Sequence, residues 1–191
     1  DFKRMLAYSS VEHMGIISLG IGIGGPFGLY GEMLHMFNHS MVKSLLFMTA
    51  GNMSQKFHSK RIDRITGLLK VMPVTGVAFM LGFLAIAGAP PFNIFISELT
   101  IMLAGFQQGR IGLTSLFILF VLLIFAGMTF YMSRMVFGKS KKRVEPGEIS
   151  PWSTGALFIP LTALLLFGLY VPPFIDQTLQ SVVTLFQGGS W

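Results

Sequence analysis

The sequence predicts an all-α protein: a polytopic transmembrane helix bundle of about five spans, one of them broken. Three observations carry that prediction. Of 191 residues, 52% are hydrophobic and only 12% charged, and the mean hydropathy is +0.68, which is membrane composition. The apolar residues gather in runs long enough to cross a bilayer, separated by short polar stretches,. Basic residues are almost confined to alternate stretches, as the positive-inside rule requires.

The first span runs from about Met5 to Gly24 behind Lys3 and Arg4, and carries Glu12 and His13 in its first half. Gly20 to Gly25 match the G-x-G-x-x-G dinucleotide fingerprint, but they end an apolar helix, where that fingerprint needs a strand before it and a helix after it. A Gly/Pro turn at Gly25, Pro26 and Gly28 leads to the second span, about Leu29 to Gln55. Asn38 and Asn52 head glycosylation-type triplets, one at bilayer depth and one at the cytoplasmic end, so neither is expected to be modified. Lys56, Lys60, Arg61, Arg64 and Lys70 crowd the next connection, which is expected to hold a short interfacial helix.

The third apolar stretch, Met72 to Gln107, is longer than one span requires. Pro90 and Pro91 interrupt it. They remove two backbone donors and push the preceding residues away from helical angles, so a break is expected near residues 89–93. Broken helices at membrane depth are tolerated only where loose backbone faces protein or water, and they recur at ion sites. Glu98 follows the break. Spans at Ile111 to Ser133 and about Ser153 to Tyr170 complete the set. An interfacial tail is expected over 174–188, with Trp191 at an interface.

With Lys3 and Arg4 in the cytoplasm, alternation through five spans assigns twelve Lys/Arg to that side and Arg110 alone to the other, with Lys43 inside the membrane. The expected location is the cell inner membrane, with the C-terminus outside. The net charge of +6 therefore points to topology, and nucleic acid is not an expected partner. The chain has no cysteine, which excludes a disulfide framework, a thiolate zinc site and iron–sulfur ligation within it. No cofactor is expected here, and redox chemistry is expected on partner subunits. The chain begins at Asp1 without an initiator Met, and is read as the C-terminal part of a longer polypeptide.

The residues that single out a function are ionisable groups at bilayer depth. His35, His39 and Lys43 recur every four residues and form one row on a helix face. A lysine at mid-span costs about 2.5–3.5 kcal/mol on insertion scales, so it is expected to face protein or water and to belong to an ion path. Glu12, His13 and Glu98 join the row as candidates for proton transfer, since buried acids, histidine and lysine all exchange protons near neutral pH. Structural alternatives stand beside these readings. Glu12 suits an interfacial residue or a partner of Arg4, either histidine a packing hydrogen bond, Lys43 a salt bridge, and Glu98 a cap on the second half-helix. Metal binding by His35 and His39 lacks the Glu general base of the zinc-protease motif.

Three ordered motifs, DFKRMLAYSSVEHMG, LHMFNHSMVKSLLFMTAGN and LAIAGAPPFNIFISELTI, resemble the C-terminal part of the antiporter-like membrane subunits of respiratory complex I and the group 4 membrane-bound hydrogenases, the hydrogenase-4 component F type most closely. The resemblance implies about fourteen spans in two inverted repeats, of which this chain supplies most of the second. It also implies that Lys43 is the central-axis lysine, that His13, His39 and His35 lie on the connecting histidine chain, and that Glu98 is the terminal residue of the second broken helix. The upstream Glu and Lys pair of the first repeat lies outside this sequence. The function implied is proton translocation driven by a redox complex whose other membrane and peripheral subunits carry iron–sulfur and nickel–iron or flavin centres. A cation/proton antiporter subunit of the Mrp type, moving protons or sodium, is the alternative, and a scaffold that anchors soluble subunits is a third class.

Overall fold

The computed structural model describes residues 1–139 and 144–188. Lys141, Lys142, Arg143 and Trp191 lie outside those residues. Nine helices and no strand occur among the described residues: α1 (Phe2–Ile23), α2 (Gly25–Phe57), α3 (Leu68–Val71), α4 (Pro73–Ile86), α5 (Asn93–Gln107), α6 (Ile111–Phe137), α7 (Pro151–Gly155), α8 (Phe158–Leu169) and α9 (Pro173–Gly188).

Local chemistry explains where these helices start. The Asp1 carboxylate accepts from the Lys3 and Arg4 amides at 2.9 and 3.2 Å, an N-cap that starts α1 ahead of the expected Met5. The Gly/Pro turn expected at Gly25, Pro26 and Gly28 is instead the first turn of α2. Positive φ at Gly24 and Gly25 absorbs the whole reversal, and Pro26 sits where a helix has no amide to satisfy,. The interfacial helix expected in the basic connection is the four-residue α3, and its Leu68 and Val71 are buried in the core, not laid on a surface.

α2 is the axis of the bundle. Along its length α1 pairs with it antiparallel: Ser9 meets Lys43, His13 meets His35, and Gly20 meets Glu32 and Gly28. The third stretch runs antiparallel along another side. Thr75 meets Asn52, Gly82 meets Leu45 and Leu46, Asn93 meets Asn38, Ser97 meets His35, and Ile101 meets Gly31. That order is monotonic across the break, so α4 and α5 continue one path. Their junction contains Gly88 at φ 74° and the cis Pro90–Pro91 bond.

Two apolar clusters hold these helices. The larger joins Leu6, Leu45, Leu46, Met53, Leu68, Phe79, Phe83 and Met135; the smaller joins Ile16, Ile23, Ile101, Ala104 and Phe117. α8 covers the break, with Gly168 close enough to the Pro91 carbonyl that a side chain there would press on it. α9 is tied to α2 by Tyr30, whose hydroxyl donates to Asp176 at 2.6 Å.

By length and composition, three stretches suffice to cross a membrane: α1, α6 and Pro151–Leu169; α4 and α5 are shorter apolar helices. The 33-residue α2 is not among them because its polarity is turned inward. His35, Asn38, His39, Lys43, Thr49 and Asn52 are all buried. The outer faces carry the apolar residues, with Leu116, Leu119, Phe120, Leu122 and Leu123 of α6 and Leu165, Leu166 and Leu169 of α8 exposed, as a lipid-facing surface requires.

Candidate functional site

The break in the third stretch creates the site's first fixed element. A helix continued through residue 90 would bond its amide to the Ile86 carbonyl, but Pro90 has no N–H. The freed Ile86 carbonyl faces His13 Nε2 at 3.1 Å. On the other flank of the break, Asn38 Nδ2 donates to the Asn93 carbonyl at 3.0 Å. The Ile86 carbonyl freed by Pro90 is thus satisfied from α1, while α2 holds the first turn of α5,.

His13 and His35 form the centre, each fully buried. His13 Nδ1 lies 2.8 Å from His35 Nε2, and His35 Nδ1 lies 2.9 Å from Ser97 Oγ, which donates to the Ile94 carbonyl at 2.8 Å. The His39 ring sits 4.8 Å from the His13 ring, and its Nε2 is buried without a hydrogen-bond partner among the described residues. The Glu98 carboxyl is buried beside Gly88, and one of its oxygens falls within 4.8 Å of a ring nitrogen of His13 and of His35.

Lys43 is directed into the protein. Its ammonium donates to the Leu6 carbonyl and to Ser9 Oγ, both at 2.6 Å, and lies 5.9 Å from the Phe47 ring centre. The salt-bridge alternative for Lys43 is not realised, since the only ion pair among the described residues is Arg61–Asp63. For the same reason Glu12 is not bonded to Arg4. Glu12 is half-buried and, with Ser9, lines an open cavity of about 840 Å³ whose charged lining includes Arg4, Arg61, Asp63 and Arg134. The capping alternative for Glu98 is not realised either: it sits on the second turn of α5, past the first-turn amides,.

His13, His35 and Glu98 offer three ligand atoms close together. The 2.8 Å separation of the two histidine nitrogens is a hydrogen-bond distance, too short to seat a metal at about 2.0–2.1 Å from each in tetrahedral geometry. The arrangement is that of a proton-sharing pair. Ser9, Ser97 and the Ile86 carbonyl, which partner Lys43, His35 and His13, were not among the residues singled out from the sequence. Nor was Glu32, buried on α2 three residues before His35; the i, i+3 register with that histidine was the available signal.

Residues 1–138 match the family described as NADH:quinone oxidoreductase/Mrp antiporter, TM. The chain belongs to this transmembrane family. Over 191 residues it is 34% identical to the hydrogenase-4 component F homolog of Methylacidiphilum infernorum, covering 98% of this chain and 38% of that protein. It is 26% identical to a Na(+)/H(+) antiporter subunit of Bacillus subtilis over 96% of this chain and 38% of that protein. Its fold superposes on a chain of respiratory complex I from Thermus thermophilus with a TM-score of 0.85 at 26% identity, covering 97% of this chain and 39% of that one. The chain therefore spans about two fifths of the length of these relatives. The family is transmembrane, and with the apolar helices above this makes the chain an integral membrane protein of antiporter-like architecture.

Proposed function

We propose that this chain is part of a proton-translocating membrane subunit of a redox-driven complex of the hydrogenase or NADH:quinone oxidoreductase type, and that Lys43, His39, His13, His35 and Glu98 carry its protons, with Glu12 at the mouth. The observation that supports it best is the 2.8 Å contact between His13 and His35, set between Lys43 on one side and Glu98 on the other. Proton transfer needs donors and acceptors in hydrogen-bond or one-water reach, and His13 and His35 meet that directly. Glu98 has an oxygen within 4.8 Å of both, the His39 ring is 4.8 Å from that of His13, and Lys43 follows His39 one turn along α2. The open cavity beside Glu12 and Ser9 supplies the approach from one end. Ion-path residues in membranes are expected to be inward-facing and partnered in this way.

On this reading the charged mouth containing Arg4, Arg61 and Arg134 is cytoplasmic, the membrane is the inner membrane and the C-terminus is outside. Redox centres, iron–sulfur with nickel–iron or flavin, belong to partner subunits, because a chain without cysteine has no thiolate to hold an iron–sulfur or nickel–iron centre,. Charge movement triggered there would reach this subunit electrostatically.

A second reading, a cation/proton antiporter subunit with no redox partner, is favoured by the likeness to the Bacillus subtilis antiporter protein. The ligands around Lys43 argue for protons over sodium: an ammonium group with one hydroxyl and one carbonyl leaves no oxygen cage for a cation. The deciding experiment replaces Lys43 by Ala and Glu98 by Gln in the full-length subunit, within its complex, in sealed vesicles. Proton translocation falls in both while assembly and electron transfer in detergent persist. Normal translocation by both variants would remove the proposal, and sodium-dependent exchange without any redox partner would favour the second reading.

A further inference from the structure

The relay as described ends at Glu98 and His35, at the depth of the helix break, and half the bundle still separates those groups from the end opposite the charged cavity. The segments that build that half are nearly bare of titratable groups. Residues 14–23 of α1, 99–107 of α5 and 111–120 of α6 contain none, and α9, which packs on α2 there, brings only Asp176. On α2 the same layer holds Tyr30, already bonded to Asp176, and Glu32.

Glu32 is 5% exposed. On a helix advancing about 100° per residue, Glu32, His35, His39 and Lys43 fall within a wedge of about 80°, and Glu32 extends that row by about 4.5 Å beyond His35. The close approach of α1 buries it: a Cβ on Gly20 would lie 2.6 Å from the Glu32 Cβ, and 3.4 Å from Ile101 of α5. Its carboxyl makes no hydrogen bond and no ion pair among the described residues. Its oxygens are not among the enclosed unpartnered atoms, so the carboxyl keeps a narrow opening to the surface through which a proton can be exchanged. An ionisable group at this depth with no structural partner is by default a functional candidate. The titratable groups nearest in register are His35 and Tyr30 on α2 and Glu98 one turn away on α5; the facing stretch of α1 offers none beyond His13.

We propose that Glu32 is the outermost proton-carrying group of this half of the subunit, accepting a proton from the His35–Glu98 centre and releasing it toward the end of the bundle where α9 meets α2. In that step the proton leaves a ring nitrogen or the Glu98 carboxyl, forms an O–H bond on Glu32, and is then lost to water, so the side chain returns to its carboxylate. The inference rests on the relay reading above, and its test separates the two.

In the full-length subunit, within its complex in sealed vesicles, Glu32→Gln should lower proton translocation about tenfold or more, the scale of losing one positioned acid–base group, with electron transfer in detergent intact. Glu32→Asp, which keeps the carboxyl, should recover part of the rate with an altered pH profile. Lys43→Ala is measured in parallel. Loss in Lys43→Ala with normal translocation in Glu32→Gln overturns the role of Glu32 and leaves the relay standing; normal translocation in both overturns the relay as well. Infrared difference spectra of the unmodified complex across a pH step guard against a folding defect. A carboxyl band that shifts in Glu32→Asp is expected, and spectra insensitive to that substitution would overturn the proposal.

Discussion

His13 Nδ1 and His35 Nε2 lie 2.8 Å apart, and the Ile86 carbonyl on the far side of His13 decides which of them donates. A carbonyl only accepts, so His13 Nε2 carries a proton. In the neutral pair His13 Nδ1 is then the acceptor and His35 Nε2 the donor. That leaves His35 Nδ1 without a proton, and Ser97 must turn its hydroxyl toward it. With one extra proton on the pair, both ring nitrogens facing Ser97 and Ile86 are donors, and the Ser97 hydroxyl is released to the Ile94 carbonyl, which lies 2.8 Å away. The histidine pair and the Ser97 hydroxyl therefore change state together.

Ser97→Ala removes the only group that serves both states. It is fully buried, so the orphaned ring nitrogen should cost about 1–3 kcal/mol, read as a lower unfolding temperature of the assembled subunit. Proton translocation should slow in the same variant. Ser97→Cys, with a weak thiol donor and acceptor, should fall between. A translocation rate unchanged in Ser97→Ala would show that the hydroxyl takes no part.

Lys43→Met should separate stability from function. The substitution removes an ammonium that inserts at a cost of about 2.5–3.5 kcal/mol and orphans little, because Ser9 still donates to the Leu6 carbonyl at 3.0 Å. Thermal stability in detergent is expected to hold or rise while translocation is lost. A marked destabilisation would mean that the lysine is there as a structural tie between α1 and α2.

Much of this was legible in the sequence, and the reasons are specific. Periodicity of four located His35, His39 and Lys43 on one face because a helix has few other ways to place them, and the two prolines located the break because they forbid its hydrogen bonds. Glu98 followed from its position after that break. The partners were not legible: Ser9, Ser97 and the Ile86 carbonyl lie 34 to 73 residues along the chain from the groups they serve, and only packing decides which turns of three helices meet. Glu32 was hidden because a carboxyl near the start of a span resembles an interfacial residue until the neighbouring Gly20 shows how closely α1 covers it. The turn at Gly25 and Pro26 was misjudged because both residues suit a helix N-terminus as well as a loop.

Gly88→Ala should act on Glu98 without touching it chemically. Gly88 has φ 74°, and a Cβ there would collide with the Glu98 carboxylate, so the substitution both strains the backbone by about 1 kcal/mol or more and displaces the carboxyl from His13 and His35. Translocation should fall toward that of Glu98→Gln. Gly22→Ala is the control: it lies on an exposed helical face with nothing within 4 Å and should be neutral or stabilising by up to about 1 kcal/mol. Equal effects of the two substitutions would mean that the contact with Glu98 is unimportant.

Glu148 caps α4 from a distant loop, and its removal should be felt at the break. α4 begins at Pro73 behind Met72, whose side chain makes no capping bond. Glu148 supplies the missing acceptor: its carboxylate takes the amides of Val74 at 2.9 Å and Thr75 at 3.1 Å, and the Thr75 hydroxyl at 2.5 Å. The Gly147 amide donates to the Val71 carbonyl at 2.8 Å, fastening the same loop. A carboxylate on a helix N-terminus is favoured both by those bonds and by the helix dipole. Glu148→Ala should therefore cost about 1–3 kcal/mol, with Glu148→Gln losing less. Hydrogen exchange should rise first at Val74 and Thr75. Because α4 carries the Ile86 carbonyl at its other end, translocation should drop modestly, well short of the loss in Lys43→Met. Unchanged protection of those two amides would show that α4 is held by its packing on α2 alone.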